Sequence, residues 1–341
     1  MYITTMHNSS PRAASAVNLR SAAGAWDPVE FHDVAGTRVA VSRSGRGPAV
    51  VCLHATGHGA RDYEPLAARI GGSFEVIAVD WPGQGRSAPD AAPASASRYA
   101  RVLEELLPLV TSGPAILIGC SIGGAAAIEV AARRPDLVRA MVLCDTGGLV
   151  EIDRMTRFAI LRMHSFFAAG ARGAWWFGAA FAMYYRMVLP SKAARGQRDR
   201  IVASAREIAP VLAEAWKSFA EPQADLRWLI SQIHCPVLFA WAGKDRILPW
   251  ARTRPAAETF EDYRVEMFRA GHAAFLEDPD RFADSFRRFA HKIPARTPAQ
   301  PAGISAGRPA ESRPAAMPGA AAANGPRDAA AIGTWKQAGA A

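Results

Sequence analysis

The chain has 341 residues, a formal net charge of +9, 50% hydrophobic residues and four cysteines, enough apolar material for one large body with a sizeable core. Its longest uncharged apolar stretch, Gly173 to Tyr185, has thirteen residues, too short to span a bilayer. The positive charge is uneven, near zero over residues 26–150 and 201–293 but +6 over residues 151–200, and no nucleic-acid recognition motif accompanies it, so a solvated arginine-rich face is expected rather than a nucleic-acid surface.

Residues 1–25 are expected to be disordered, and they lack the basic, apolar and cleavable succession of a secretory signal, which predicts a cytoplasmic protein. From about Pro28 to Thr146 strand and helix candidates alternate, the pattern of a mostly parallel α/β sheet covered by helices. Within it, Ala115 to Ile118 is a short apolar run ending at Gly119, and an alanine-rich segment beginning at Gly123 closes at Arg134-Pro135. Strand, tight turn and helix follow from that order. The turn is Gly119-Cys120-Ser121-Ile122-Gly123, a G-x-S-x-G in the one context that gives the motif meaning, a hydroxyl held above a sheet.

A hydroxyl attacks only when a base takes its proton, and the base needs an orienting acid. The β-rich run Pro236 to Ala242 stops at Gly243-Lys244-Asp245, and the run Tyr263 to Phe268 leads to Gly271-His272. Ser121, Asp245 and His272 therefore stand at strand ends in that order, 124 and 27 residues apart. Asp145 closes another strand, Val138 to Asp145, and competes for the role of acid. Cys120 competes for the role of nucleophile, but it precedes the turn residue, where its side chain should point away from the cleft. All four cysteines lie in or beside strand candidates and read as reduced, buried apolar residues.

Five blocks carry a resemblance: Leu53-His54-Ala55-Thr56-Gly57, Asp80 to Ser87, Gly119 to Gly124, Gly243-Lys244-Asp245, and Gly271-His272 followed by Glu277-Asp278-Pro279. Together they make residues 27–292 resemble the α/β-hydrolase superfamily, in its serine-nucleophile branch with a cap after the sixth strand. The resemblance implies Ser121 as nucleophile, His272 as base, Asp245 as acid, and the backbone N–H groups of Ile122 and Thr56 as oxyanion-hole donors. It gives the Asp80 to Ser87 block a structural role in the turn after the fourth strand. The family usually has His-Gly where this chain has His54-Ala55, so a turn of positive φ at Ala55 would be strained. His54 reads as a residue that positions the loop.

About ninety residues separate the sixth and seventh strands. Residues 148–230 are accordingly expected to form a helical cap on a body made of residues 26–147 and 231–293. The aromatics Phe166, Phe167, Trp175, Trp176, Phe177, Phe181, Tyr184 and Tyr185 should mostly pack the cap, with a few closing an apolar cleft over Ser121. Arg157, Arg162 and Arg186 are candidates to attract an anionic substrate or surface. His32, His164, His234 and His291 read as structural or solvated, and no His, Cys or carboxylate grouping has metal-ligand spacing, so neither metal nor cofactor is expected. Residues 294–341, rich in alanine, proline and glycine, are expected to be disordered, with Trp335 an apolar residue lacking an evident core partner.

The expected activity is hydrolysis of a small apolar or aromatic acyl substrate, a carboxylic ester or a relative of one, through an acyl-enzyme. Dehalogenases and epoxide hydrolases resemble this chain with Asp at the position of Ser121. Carbon-carbon bond hydrolases share the serine and are faintly similar at Asp145-Thr146-Gly147-Gly148-Leu149, but typically have Asn and Trp where Cys120 and Ala273 stand. Perhydrolysis of the haloperoxidase type, and a ligand-binding role on the same body, stay open. The sequence assigns no oligomeric state.

Overall fold

The computed structural model describes Trp26 and residues 29–293. The disorder expected for residues 1–25 and 294–341, and the surroundings of Trp335, lie outside the described residues.

Eight strands form one sheet: β1 Val29–Val34, β2 Thr37–Gly45, β3 Ala49–Leu53, β4 Glu75–Val79, β5 Ala115–Cys120, β6 Val138–Cys144, β7 Val237–Ala242 and β8 Tyr263–Phe268. Their order is β1-β2-β4-β3-β5-β6-β7-β8, with β1–β2 and β2–β4 antiparallel and all other neighbours parallel. Every residue of β5 and of β7 is buried, as strands covered on both faces must be, which is why they read as unbroken apolar runs. The outermost strands β1 and β8 instead interleave Glu30, His32, Arg264 and Glu266 with apolar residues, and charge at an edge discourages pairing with another chain.

Side chains along a strand alternate between faces, and the core divides accordingly. Val50 and Cys52 join Tyr63, Phe275 and Phe286 on one face, whereas Val51 and Leu53 join Trp81, Tyr99 and Leu103 on the other. The first face is covered by α1 Glu64–Ile70, α9 Ala274–Glu277 and α10 Pro279–Ala290; the second by α2 Ala96–Val110, α3 Ile122–Arg133 and α8 Trp250–Ala257. Stacked rings tie the faces down, Tyr63 on Phe275 at 4.4 Å and Trp81 on Tyr99 at 4.5 Å between centroids. Because β3, β5, β6, β7 and β8 run parallel, their C-terminal ends open along one rim, the place where ligands bind in such sheets.

The segment between β6 and β7 holds α4 Arg154–Ala171, α5 Phe177–Val188, α6 Arg195–Ala203 and α7 Ala205–Ser218. α4 starts with Asp153 capping the Thr156 amide at 2.7 Å. Phe167, Phe177 and Phe181 are buried among these helices, and Gly170 lets α4 approach the Phe177 ring so closely that a Cβ would stand 2.5 Å from it. The sequence placed Trp175 and Trp176 in the same cluster. The structure corrects this for Trp175, which is 88% exposed in the link between α4 and α5, whereas Trp176, though partly exposed, packs against Phe166 and Phe177 at 6.0 and 6.5 Å between ring centroids. Among the described residues no helix is long and apolar enough to cross a membrane.

Candidate active site

Ser121 stands between β5 and α3 with φ 53 and ψ −116, a left-handed conformation that costs a non-glycine residue energy and persists only where its surroundings fix it. They do. The Ser121 N–H donates to the Cys144 carbonyl, and its own carbonyl accepts from the amides of Gly124, Ala125 and Gly147. The neighbouring glycines are required by contact: a Cβ on Gly119 would lie 2.6 Å from Gly124 Cα, and one on Gly123 would lie 2.3 Å from the Leu53 carbonyl oxygen. The serine turn is thus pressed against the end of β3.

The two expected oxyanion donors follow the two sides of that contact, Ile122 in the serine turn and Thr56 in the loop after β3. Ile122 is the first residue of α3, whose leading N–H groups have no partner within the helix, and neither its amide nor that of Thr56 has an acceptor among the described residues. Both residues line the same cavity as Ser121. Ala55 does not have positive φ; Gly57 does, at 79, so the feared strain is absent and the glycine two positions on makes the turn. His54 ties this loop to the turn after β4: its Nε2 accepts from the Trp81 amide at 3.0 Å, and the Trp81 indole donates to the His54 carbonyl at 2.8 Å. Asp80 in that turn accepts from the Ala60 amide at 2.7 Å.

His272 lines the cavity and its Nδ1 lies 2.9 Å from Asp245 Oδ2. Asp245 Oδ1 accepts from the Ile247 amide at 2.7 Å. Burial works against a charged imidazole, but the Asp245 charge and hydrogen bond outweigh it and hold His272 above the ordinary histidine value. Burial likewise opposes ionisation of Asp245, yet His272 and the backbone amides beside it bring that carboxyl below its usual range. With Nδ1 bound to the carboxylate, Nε2 is the free base of the ring. Among the described residues no hydrogen bond joins the Ser121 hydroxyl to His272; in sites of this kind that bond often tightens only around substrate.

Asp145, the rival acid, is fully buried, and its Oδ1 accepts from the Ala242 amide at 2.9 Å. Burial first, and then the Asp245 charge, push its pKa well up, which disfavours the charged form that an acid orienting His272 needs, and among the described residues its Oδ2 has no hydrogen-bond partner. Cys120 is buried with its thiol toward the His272 carbonyl at 3.5 Å, and burial raises its pKa well above that of a free thiol, the reverse of what a nucleophile needs.

Sequence reasoning missed three features. Glu277 is buried and its Oε1 accepts from the amides of Gly271, His272 and Ala273 at 2.7, 3.0 and 3.3 Å, while Oε2 accepts from Ser191 N at 3.1 Å. It holds the histidine loop. His58, not singled out in the sequence, lines the cavity and pairs with buried Asp62. The arginines at the cavity are Arg246 and Arg252; Arg157, Arg162 and Arg186 are exposed elsewhere on the helices. The cavity itself measures about 320 Å³ and is walled largely by apolar side chains, with Tyr184, Tyr185, Leu212 and Trp216 brought by α5 and α7, a size suited to a small ligand.

A model of the Alpha/beta hydrolase family matches residues 50–285. The chain belongs to this family. Its relatives include an uncharacterized protein of Mycobacterium tuberculosis, 27% identical over 296 residues that span 80% of this chain and 84% of that protein. A pimeloyl-[acyl-carrier protein] methyl ester esterase of Neisseria meningitidis is 29% identical over 252 residues, spanning 72% of this chain and 94% of the esterase. Among solved structures, a thermophilic esterase from Thermogutta terrifontis superposes with a TM-score of 0.65 at 20% identity, covering 78% of this chain and 98% of the esterase. The α/β-hydrolase fold of this chain, with its mostly parallel sheet flanked by helices, is thus the fold of esterases.

Proposed function

We propose that this α/β hydrolase is a serine hydrolase that cleaves a carboxylic ester, or a related acyl compound, through an acyl-enzyme on Ser121. The observation that carries the reading is the strained Ser121 turn opening into one cavity with a histidine whose far nitrogen is held by a buried carboxylate. In this reading Ser121 Oγ attacks the carbonyl carbon while His272 Nε2 takes its proton. The oxygen that gains negative charge is met by the amides of Ile122 and Thr56, two residues of the cavity wall whose N–H groups have no other acceptor among the described residues. Collapse expels the alcohol, which takes the proton back from His272, and water then repeats the sequence on the acyl-serine.

Residues 148–230 act as a cap in this scheme, on a body formed by 26–147 and 231–293, and the apolar wall they help supply favours an apolar or aromatic acyl or alcohol group. The methyl ester named for the Neisseria relative supports the same bond type. The test is labelling with a fluorophosphonate ester together with turnover of aryl esters graded by acyl length, set beside thioesters, lactones and a vinylogous diketone. Labelling that disappears in Ser121→Ala, with ester turnover falling on the order of 10³-fold or more, supports the reading. Absence of labelling on folded wild-type protein overturns it in favour of a binding role.

A further inference from the structure

The cavity contains a second histidine–aspartate pair that acyl transfer does not use. His58 follows Gly57 in the turn after β3 and is 8% exposed. Its Nδ1 lies 2.5 Å from Asp62 Oδ2, four residues on in the short 3-10 turn Ala60–Tyr63. Asp62 is wholly buried, and its other oxygen is occupied from α6, where Gln197 donates through Nε2 and in turn accepts from Arg200. The ring also packs beside Tyr185, 5.7 Å between centroids. His58 is therefore fixed on three sides, by its own loop, by Asp62 and by the helices between β6 and β7.

The fixed geometry decides which atom is left over. An acceptor on Nδ1 places the proton there, so in the neutral ring Nε2 carries the lone pair. Among the described residues Nε2 has no hydrogen-bond partner, and His58 lines the same cavity as Ser121 and His272. A second polar atom is idle nearby: Thr56 Oγ1, two residues earlier and also on the cavity wall, is buried without a partner. Buried polar groups are ordinarily satisfied, and an unpartnered ring nitrogen on a residue of the cavity wall, beside an unpartnered buried hydroxyl and among largely apolar side chains, marks the place where a ligand's polar group belongs. His272 already has its own carboxylate, so a second base is not needed for the chemistry.

We propose that His58, oriented by Asp62 and assisted by Thr56 Oγ1, is a substrate-recognition site that accepts a hydrogen bond from a donor group, a hydroxyl or an amide N–H, carried on the ester. This rests on the serine-hydrolase reading of the same cavity, and it narrows the substrate class from apolar esters to apolar esters bearing one such donor. Discrimination of this kind is steep, because the analogue without the donor leaves buried atoms unpaired.

The experiment compares kcat/KM for matched aryl esters of equal chain length, unsubstituted, hydroxylated, acylamino-substituted or carboxylate-terminated, with the substituent walked along the chain. The wild type is expected to prefer a hydroxyl or acylamino ester over its unsubstituted partner by about tenfold or more at one chain position, and the two arms tell the donors apart. In His58→Asn the amide nitrogen replaces Nδ1 against Asp62 while nothing replaces Nε2, so the fold should hold and the preference ratio should fall to within about twofold of unity. A ratio unchanged in His58→Asn overturns the proposal. So does a wild type with no donor preference at any position, which needs no variant to fold, or one that prefers the carboxylate. Failure of the serine-hydrolase reading is distinguishable, because then the wild type neither labels with fluorophosphonate nor turns over any ester of the panel, and the site falls with it.

Discussion

Asp145 and Asp245 follow the adjacent parallel strands β6 and β7 with their pKa values pushed in opposite directions, and only Asp245 is hydrogen-bonded to His272. The Asp245 carboxylate lies 2.9 Å from His272 Nδ1 and is held below the usual carboxylate range, while burial pushes the Asp145 carboxyl well up. Asp245→Asn should therefore leave the fold intact but release the imidazole from its reactive tautomer, costing on the order of 10² to 10⁴ in turnover. Asp145→Asn should be mild, since an amide can still accept from Ala242 N and donate to Asp245. Ester turnover of the two folded variants decides; the reverse ranking would give the acid's role to Asp145.

The same pair predicts a stability profile. Asp145 retains a proton in the fold at pH values where the unfolded chain has lost it, because its folded pKa is raised. The contribution of Asp145 to wild-type stability must then fall as pH climbs above the ordinary carboxylate value of about 3.9, until the raised value is passed. Asn has no proton to lose. Thermal melts should show Asp145→Asn gaining on wild type as pH is raised from about 4 toward 8, and a constant difference across that range would argue that Asp145 is ionised.

What the sequence revealed and what it hid differ by the range of the interactions involved. The Ser121 turn was legible because its causes are local: an apolar run, glycines that the backbone contacts require, and an alanine-rich helix. Asp245 and His272 were legible because each follows its strand directly. His58 was not, since its meaning depends on Asp62 within an irregular turn and on Gln197 arriving 135 positions later in the chain. Glu277 was quoted only as part of a block, and its grip on the histidine loop exists only once the chain folds back on itself. The aromatic cluster between β6 and β7 fixed composition, but which rings face inward depends on where α4 ends, and that turned Trp175 outward.

With His272 as the base of the proposed mechanism, its raised pKa should set the acid limb of activity. A general base works only when neutral, so activity must fall as pH drops through a value above the ordinary histidine pKa of about 6.5. Removing the Asp245 charge takes away the largest contribution that raises it. The residual kcat/KM of Asp245→Asn should consequently show its acid limb displaced to lower pH, and a limb that stays in place would assign the titration to another group.

Glu277 supports the histidine loop with one carboxylate oxygen facing three amides and the other facing Ser191 N. Gln cannot serve both sides, because its NH₂ must meet a donor on one of them. Glu277→Gln should lose about 1–3 kcal/mol of stability and lower kcat more than it raises KM, as the loop carrying His272 loosens. Denaturant unfolding and steady-state kinetics on the same preparation test both parts, and unaltered values in both would show that Glu277 is a bystander.

The conformation of Ser121 makes a prediction that runs against the usual effect of glycine. Its φ of 53 and ψ of −116 place a residue with a Cβ in strained backbone, at a cost of about 1–3 kcal/mol. Ala at this position removes the hydroxyl and leaves that strain; Gly removes the hydroxyl and relieves it. Against this, Gly adds conformational freedom to the unfolded chain, worth about 0.4–1 kcal/mol in the opposite direction. The strain is the larger quantity, so Ser121→Gly should melt above Ser121→Ala, with both inactive toward esters. A Gly variant that melts below the Ala variant would mean that Ser121 sits without strain in its turn, and the argument that the surrounding amides hold the nucleophile in place would lose its energetic basis.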